Sequence, residues 1–249
     1  MIKPIIAANW KMNKTVGESV DFSQRLAKEC EGLEEREVII APPATALYTV
    51  SLALKGSTVH LSAQNMHWEE KGAFTGEISA PMLADMGCEY ILIGHSERRS
   101  LFGETNEWVN KKLQAALNFG LKPIVCFGET LKERESEATF DVIKKQVKEG
   151  LNNISTGDIG CVSIAYEPVW AIGTGKTATP ELAEEVHRFI RETLSSCFGE
   201  SVGAETAIIY GGSVTPKNIG ELMDKPNING ALVGGASLDF ESFTGIIRY

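Results

Sequence analysis

The sequence is poor in cysteine and lacks the cysteine spacing of disulfide-stapled and zinc-binding proteins. Its 249 residues contain five cysteines, which are scattered along the chain without a C-x-x-C pair. A disulfide framework and a structural zinc site both depend on paired or closely spaced cysteines, so the pattern argues against both. We predict free, buried thiols in a reducing compartment. The cysteines are Cys30, Cys88, Cys126, Cys161 and Cys197.

Long apolar runs and an excess of positive charge are also missing. No segment approaches membrane-spanning length, and the first residues, Met1-Ile2-Lys3-Pro4, do not resemble a signal peptide. The formal net charge of −9 gives no general attraction to nucleic acid or to anionic membranes. We therefore expect a cytoplasmic protein that binds neither nucleic acid nor membrane. If its substrate is anionic, the positive potential that attracts it must be local.

The chain instead alternates short apolar runs with longer amphipathic segments. The predicted strands are residues 5–10, 38–41, 58–63, 90–93, 122–126, 161–166, 206–210 and 230–233. Most of them are continuously apolar, as is typical of parallel strands covered on both faces. Helical periodicity is clear in residues 16–30, 140–151 and 182–198. Thr179-Pro180 and Thr215-Pro216 predict two helix starts.

This alternation predicts an α/β protein in which eight strand–helix units close into a (β/α)₈ barrel. We expect one domain over residues 1–249, because no linker or low-complexity tract divides the chain. The alternative is an open doubly wound sheet, which normally has a glycine-rich phosphate turn after its first strand. Here the first strand runs into Asn9-Trp10-Lys11-Met12-Asn13, which contains no glycine.

Polar residues at the predicted strand ends are the candidates for catalysis, because (β/α)₈ barrels form their active sites there. Asn9 and Lys11 follow the first strand, and their spacing of two places both side chains on one face. Lys11 would supply local positive charge to an acidic protein. The alternative for a lone lysine at this position is a surface residue.

His95 directly follows the fourth strand. If a helix begins there, its N-terminus disfavours imidazolium, and a neutral imidazole can donate a proton and take it back. The alternative is a structural histidine. We expect that structural role for His60, His67 and His187. For Glu97, an ion pair with Arg98 or Arg99 and a direct catalytic role are equally open.

Glu167 follows the sixth strand, beside a proline, and is a candidate general base. Residues 168–177 after it resemble a lid with a rigid start at Pro168 and glycines further on, and an ordinary loop is the alternative. Residues 173–177 also resemble a nucleotide-binding P-loop, but that motif needs a glycine where Trp170 stands. We therefore reject nucleotide binding.

Paired glycines follow the last two strands, as Gly211-Gly212 and Gly234-Gly235. Without a Cβ, backbone N–H groups can approach a phosphate closely, and barrel enzymes often bind phosphate after strands 7 and 8. Together with a base, a neutral acid and a lysine, these glycines indicate proton chemistry on a small phosphorylated molecule. No metal cluster, nucleophile elbow or dinucleotide fingerprint accompanies them in the sequence.

Four segments carry a family resemblance. They are Asn-Trp-Lys-Met-Asn at 9–13, Gly-His-Ser-Glu-Arg-Arg at 94–99, Ala-Tyr-Glu-Pro-Val-Trp-Ala-Ile-Gly-Thr-Gly at 165–175 and Tyr-Gly-Gly-Ser-Val at 210–214. These segments occur in the same order as in the triosephosphate isomerase family. The resemblance to that family extends from Pro4 to the C-terminus. Small departures at Ala7-Ala8 and Phe127 touch no candidate catalytic group.

The resemblance implies a TIM barrel that interconverts dihydroxyacetone phosphate and D-glyceraldehyde 3-phosphate, in glycolysis and gluconeogenesis, through an enediolate and without cofactor or metal. It implies that Glu167 removes the proton and that neutral His95 shuttles a proton between the two oxygens. Lys11 and Asn9 would stabilise the negative charge. The phosphate would be held by Gly173, Ser213, Gly234 and Gly235. The site would be supported by Ser96, Glu97 and Cys126.

The resemblance also implies a homodimer, in which the loop around Thr75 reaches into the partner's site. That loop belongs to residues 64–78, the longest irregular stretch of the sequence, which carries Trp68 and Phe74. Long loops with exposed aromatics are often functional or interfacial. We therefore expect Phe74 to be exposed and the loop to be a contact surface.

Two competing functions fit the residues less well. A Schiff-base aldolase would need a buried lysine on a strand, and the predicted strands offer Lys122 at the edge of the fifth. A barrel that serves only as an interaction scaffold would be expected to have lost Lys11, His95 or Glu167, and all three are present.

Overall fold

The computed structural model of the chain describes residues 2–171 and 178–249, and the strands in these ranges form a closed barrel. They are β1 (Ile5–Asn9), β2 (Glu37–Ala41), β3 (Val59–Ala63), β4 (Tyr90–Ile93), β5 (Lys122–Phe127), β6 (Ser163–Tyr166), β7 (Ile208–Tyr210) and β8 (Gly230–Val233). Strands pair in chain order, each pair is parallel, and β8 closes the barrel against β1. The predicted (β/α)₈ barrel is confirmed.

Helices connect successive strands and cover the barrel. They are α1 (Val16–Glu29), α2 (Leu47–Ala53), α3 (Ala80–Asp85), α4 (Ser96–Phe102), α5 (Asn106–Asn118), α6 (Leu131–Glu135), α7 (Thr139–Gly150), α8 (Pro180–Phe198), α9 (Glu200–Glu205), α10 (Ile219–Met223) and α11 (Phe240–Ile247). Short 3₁₀ helices occupy Ala44–Ala46, Asp158–Cys161, Val169–Ala171 and Gly235–Leu238. No helix in the described ranges is both long and apolar enough to cross a membrane.

Each strand is buried on both of its faces. Successive residues of a strand point to opposite sides, so Ile5 and Ala7 of β1 lie inside the barrel while Ile6 and Ala8 pack beneath the helices. The interior cluster is Ile5, Ala7, Ile39, Ala41, Tyr90, Leu92, Ile124, Cys126, Ala165, Ile209 and Leu232. This double burial explains why the strands are continuously apolar in sequence.

The same alternation selects the residues that reach the C-terminal mouth of the barrel. Ala165 and Leu232 point into the interior. Two residues further along their strands, with the same parity, come Glu167 and Gly234, and both line the cleft at that mouth. The strand register therefore positions the candidate base and one of the candidate phosphate-binding glycines.

The predicted helix start at Thr215-Pro216 is wrong, whereas that at Thr179-Pro180 is confirmed. Thr179 Oγ1 accepts a hydrogen bond from the Leu182 N–H (3.3 Å), and α8 begins at Pro180. Residues 216–218 instead form a turn, and α10 begins at Ile219. The chain first makes a turn that is closed by the Asn218 N–H on the Thr215 carbonyl oxygen (3.2 Å), and the regular α-helix follows this turn.

The cysteines follow the prediction only in part. All five are free, and Cys30, Cys88 and Cys126 are buried, as expected. Cys161 and Cys197 are exposed, so the prediction of buried thiols is wrong for these two. Cys161 ends the 3₁₀ turn that precedes β6 rather than starting the strand, and Cys197 lies in the last turn of α8.

Candidate active site

A cleft of about 550 Å³ opens at the C-terminal ends of the strands. Its volume is that of a small-molecule site. The structure brings most of the sequence-predicted residues together in it. Those that line the cleft are Asn9, Lys11, His95, Glu97, Glu167, Ser213, Gly234 and Gly235.

Glu167 lies at the centre of this cleft, and its side chain is almost fully buried. Its Oε2 accepts a hydrogen bond from the Ser96 N–H (2.9 Å), and its Oε1 accepts one from the Ser96 hydroxyl (3.1 Å). Oε1 also lies 3.0 Å from His95 Nε2. The backbone of Gly211 packs against the side chain so closely that a Cβ there would lie 2.9 Å from Glu167 Cγ. Gly211 therefore has a packing role besides the phosphate role suggested by the sequence.

His95 is the N-cap residue of α4, as the helix start predicted after the fourth strand requires. Its Nδ1 accepts a hydrogen bond from the Glu97 N–H (3.3 Å). A ring nitrogen that accepts from a backbone N–H carries no proton, so the proton of the imidazole resides on Nε2. Nε2 then donates to Glu167 Oε1, and a neutral imidazole satisfies both contacts.

Lys11 projects into the cleft from a strained backbone conformation. Its φ of 52° lies in the left-handed region, and its N–H donates to Asn9 Oδ1 (3.0 Å). The ammonium Nζ lies 2.5 Å from Glu97 Oε1. Asn9 thus stabilises the turn that aims Lys11, and Glu97 holds its charged end.

The predicted ion pair of Glu97 with Arg98 or Arg99 is therefore wrong. Arg98 pairs instead with Glu104 (Nε to Oε2, 2.7 Å). Arg99 donates from Nε to the Gly94 carbonyl oxygen (2.8 Å). The three neighbours on α4 point in different directions around the helix, so Glu97 alone of them faces Lys11.

The described candidate phosphate-binding residues line the same cleft as the candidate base. A Cβ at Gly234 would lie 3.8 Å from Lys11 Nζ, so this backbone runs beside the ammonium group. A Cβ at Gly235 would meet nothing within 4 Å, which means that its backbone faces open space. Ser213 Oγ donates to the Ala171 carbonyl oxygen (3.3 Å). Gly173, predicted as a fourth phosphate-binding residue, lies outside the described residues, as does most of the predicted lid.

Cys126 and Thr75 occupy different surroundings. Cys126 points into the barrel from β5 and is fully buried. Burial, with the nearby Glu167 carboxylate as a second cause, raises the pKa of its thiol well above the ordinary value, so it packs as a neutral group. Thr75 is exposed in the irregular stretch 64–78 and does not line the cleft of its own chain. Phe74 beside it is 43% exposed, as predicted.

Sequence reasoning missed a buried charge cluster behind His95. Glu104 accepts from the Gly94 N–H (3.0 Å) and from Lys112 Nζ (2.8 Å), in addition to Arg98. Burial alone would raise the pKa of the Glu104 carboxyl, but Lys112 and Arg98 outweigh it and hold the pKa below its usual value. The sequence gives no signal for this cluster, because its members look like ordinary surface charges.

A second missed residue is Glu129, which flanks the base on the other side. Its carboxylate is fully buried, and Oε1 accepts hydrogen bonds from the Tyr166 hydroxyl (3.2 Å) and Trp170 Nε1 (2.9 Å). Arg134 Nη1 lies 3.1 Å from the same oxygen. Glu129 therefore ties together the residues on either side of Glu167.

The arrangement is suited to proton transfer on a small anion. A carboxylate, a neutral imidazole and an ammonium group converge in one cleft, with exposed glycine backbone beside the ammonium. Within residues 2–171 and 178–249, no group of three His, Cys, Asp or Glu side chains is placed to hold a metal ion.

Comparison with known proteins identifies the family. The family model described as triosephosphate isomerase matches residues 4–249. Triosephosphate isomerases from Endomicrobium trichonymphae and Carboxydothermus hydrogenoformans are 54% and 53% identical, over 100% of this chain and 99% of each relative. The crystal structure of triosephosphate isomerase from Bartonella henselae is similar with a TM-score of 0.90 and 40% identity, over 99% of this chain and 98% of that one. The chain therefore belongs to the triosephosphate isomerase family.

Proposed function

We propose that the cleft performs the family's reaction by proton transfer through an enediolate, with Glu167 as the base. The reaction is the interconversion of dihydroxyacetone phosphate and D-glyceraldehyde 3-phosphate, a step of glycolysis, and the chain is an isomerase. The roles of individual residues in this reaction are our proposal.

The proton is taken from the carbon next to the substrate carbonyl. When substrate binds, Glu167 leaves its hydrogen bonds to Ser96 and His95 and turns toward the substrate carbon. It then accepts the proton, while the electron pair of the C–H bond moves onto the carbonyl oxygen. A carbon acid of this kind ionises slowly unless the enolate charge is stabilised as it forms. Lys11 and Asn9 supply that stabilisation from the same cleft.

His95 completes the isomerisation by moving a proton between the two substrate oxygens. Its Nε2 lies 3.0 Å from Glu167 Oε1. A substrate whose carbon contacts Glu167 would therefore have its oxygens near Nε2. Nδ1 accepts the Glu97 N–H, so the proton available on Nε2 can be donated to one oxygen and recovered from the other. Glu167 then returns its proton to the neighbouring carbon, which gives the other triose phosphate.

The phosphate group binds on the glycine side of the cleft. We assign its binding to the backbone N–H groups of Ser213, Gly234 and Gly235, which line the cleft, with Lys11 as the local positive charge in a protein of net charge −9. We assign Gly173 to the same group on the resemblance alone, because it lies outside the described residues. Water must be excluded during turnover, since an exposed enediolate would lose its phosphate.

The observation that carries this proposal is the contact between Glu167 Oε1 and His95 Nε2, 3.0 Å apart, in the cleft that Lys11 also lines. We would measure turnover of glyceraldehyde 3-phosphate, coupled to NADH oxidation by glycerol-3-phosphate dehydrogenase. Glu167→Gln should lower kcat by about 10²–10⁴-fold, the usual contribution of a positioned base. Glu185→Gln, an exposed glutamate of α8, is the matched control and should leave kcat unchanged. Full activity in folded Glu167→Gln protein would refute the assignment.

We also propose that the chain acts as a homodimer. Large apolar side chains are exposed near the cleft, among them Met12 (95%), Leu101 (73%) and Phe102 (63%). A second groove of about 470 Å³ lies beside the catalytic cleft, shares Asn9 and Lys11 with it and is lined also by Met12 and Phe102. Monomers rarely leave such apolar surface uncovered. The loop around Thr75 of a second copy would fill this groove and bring the interface to the active site.

Light scattering tests the dimer, and the expected mass is about twice the 27.1 kDa of one chain. Thr75→Arg should lower both the mass and the activity, because a charged side chain is costly to bury in the groove. Thr156→Arg, at an exposed turn after α7, is the control. A fully active species of 27.1 kDa would contradict the proposal.

We further propose that residues 1–249 act as one domain and that the protein resides in the cytoplasm, where its glycolytic partner enzymes would be found.

A further inference from the structure

Gly128, which directly follows β5, has both of its backbone groups bound by one side chain. Its N–H donates to Gln146 Oε1 (2.8 Å), and its carbonyl oxygen accepts from Gln146 Nε2 (2.9 Å). Gln146 lies on α7, in the outer layer of the barrel. The paired register of β5 and β6 ends at Phe127 and Tyr166. The glutamine amide therefore satisfies both backbone groups of Gly128, as a neighbouring strand would otherwise do.

The peptide that Gln146 holds lies directly against the candidate base. A Cβ at Gly128 would lie 1.8 Å from the Glu167 backbone oxygen and 3.2 Å from Glu167 Cβ. The residue before it, Phe127, accepts the Glu167 N–H at its carbonyl oxygen (2.8 Å). Any shift of this peptide therefore displaces the backbone from which the catalytic carboxylate projects.

The residue after Gly128 extends the connection to both neighbours of the base. The backbone oxygen of Glu129 accepts from the Val169 N–H (3.1 Å). Its buried carboxylate holds the Tyr166 hydroxyl and Trp170 Nε1, as described above. The segment 127–129 thus forms hydrogen bonds to Glu167 itself and to residues before and after it. Gln146 is the side chain that binds the backbone of Gly128, the middle residue of this segment.

We propose that Gln146 is a positioning residue for catalysis. By holding the backbone of Gly128, it fixes the position of the Glu167 carboxylate. This inference rests on the proposed role of Glu167 as the base. A primary amide presents a donor and an acceptor side by side, and here they match the carbonyl oxygen and the N–H of one residue, Gly128. A displacement of about 1 Å at a reacting group can cost about 10²-fold in rate.

Two variants and a control test the proposal. Gln146→Met keeps the length of the side chain and removes both hydrogen bonds. Gln146→Glu keeps the acceptor for the Gly128 N–H but turns a carboxylate oxygen toward the Gly128 carbonyl. Gln114→Met is the matched control, since Gln114 is exposed on α5 and its amide donates to Asn110 Oδ1 on the same helix (2.7 Å).

We expect Gln146→Met to lower kcat by about 10-fold or more, with KM within about 2-fold of the wild-type value. Ser213, Gly234 and Gly235, three of the four residues that we assign to the phosphate, follow β7 and β8 rather than this segment, so substrate binding should largely survive. Gln114→Met should leave both constants unchanged. A purely structural role would lower the melting temperature without changing kcat at temperatures where the protein is folded.

Gln146→Glu provides a readout that only the hydrogen bonds can move. A protonated carboxyl group has one O–H donor and one acceptor, as the amide does. The ratio of kcat in this variant to kcat in the wild type should therefore rise as pH falls and the new carboxyl group protonates. Any pH dependence that the two proteins share cancels in the ratio. This measurement also decides the question if Gln146→Met does not fold.

The outcomes separate this inference from the function on which it rests. Wild-type protein without turnover would overturn both. Turnover that is lost in Glu167→Gln but intact in folded Gln146→Met, or a pH-independent ratio for Gln146→Glu, would overturn the role of Gln146 and leave Glu167 as the base. A selective loss of kcat with a pH-dependent ratio supports the positioning role.

Discussion

At the scale of single residues, the chemistry depends on backbone groups that fix side-chain states. One N–H, that of Glu97, determines which nitrogen of His95 carries the proton, and it does so because His95 caps α4. Asn9 acts in a similar way on Lys11, whose left-handed backbone it stabilises through the Lys11 N–H. In both cases a candidate catalytic group is already fixed in the structure without substrate, so the proposed reaction would need little reorganisation.

Lys11 gives the residue-scale prediction. Lys11→Met removes the ammonium group that faces the developing negative charge and should lower kcat/KM by about 10²–10³-fold, the usual effect of removing one stabilising donor. Steady-state kinetics on glyceraldehyde 3-phosphate would measure it. Lys28→Met, at an exposed position of α1, should behave like the wild type. A loss confined to Lys28→Met, or absent from both variants, would show that Lys11 contributes nothing to turnover.

At the scale of secondary-structure elements, a strand or helix can be predicted from the sequence when the residues that determine it lie within or next to it. The strands were predictable because burial on both faces leaves a continuously apolar run, and observed strand ends fall within two residues of the predicted ones. Glu167 and His95 were predictable because they come directly after such strands. The start of α10 was not, because a turn closed by the Asn218 N–H on the Thr215 carbonyl oxygen comes before the regular helix, and the Thr-Pro pair alone does not reveal that turn.

Contacts between distant segments were beyond sequence reasoning. The Glu129 carboxylate meets Trp170, 41 positions away, and nothing in the local pattern around either residue marks the pair. Gln146 likewise looks like an ordinary polar residue of an amphipathic helix until α7 is packed against the end of β5. The sequence therefore indicated the polar residues that line the cleft but not the residues that hold them in place.

Asn218 gives the element-scale prediction. Its Oδ1 accepts from the Thr215 N–H, and its Nδ2 donates to the Ser213 carbonyl oxygen (3.0 Å), so it shapes the loop that carries a candidate phosphate ligand. Asn218→Ala should lower the free energy of unfolding by about 1 kcal/mol and raise KM several-fold. Urea denaturation and steady-state kinetics would measure the two effects. An unchanged KM in the destabilised variant would show that the loop does not bind the phosphate.

At the scale of the whole molecule, stability in acid depends on a buried histidine. His187 is fully buried between Tyr166 and Tyr210, and burial lowers its pKa from 6.5 to about 3. Because the folded pKa lies below the unfolded one, the unfolded chain binds the proton first as pH falls. The contribution to stability is complete above pH 6.5 and is lost as pH falls toward about 3.

The prediction is a change in the pH dependence of unfolding. Between about pH 6 and pH 4, His187 should lower the free energy of unfolding by up to about 1.4 kcal/mol per pH unit. His187→Gln keeps a polar side chain that does not titrate, so its stability should fall less steeply over the same range. Urea denaturation at several pH values would compare the slopes. Equal slopes in the two proteins would mean that His187 is protonated in the folded state.

The most direct test of the proposed chemistry is the fate of the transferred proton. Isomerisation of glyceraldehyde 3-phosphate would be run in D₂O, and the product examined by proton NMR. If Glu167 carries the proton between carbons, part of it exchanges with solvent, and deuterium should appear on the carbon of dihydroxyacetone phosphate that receives it, with both turnover and labelling lost in Glu167→Gln. Deuterium-free product at the full wild-type rate, with Glu167→Gln equally active, would contradict proton transfer through this carboxylate.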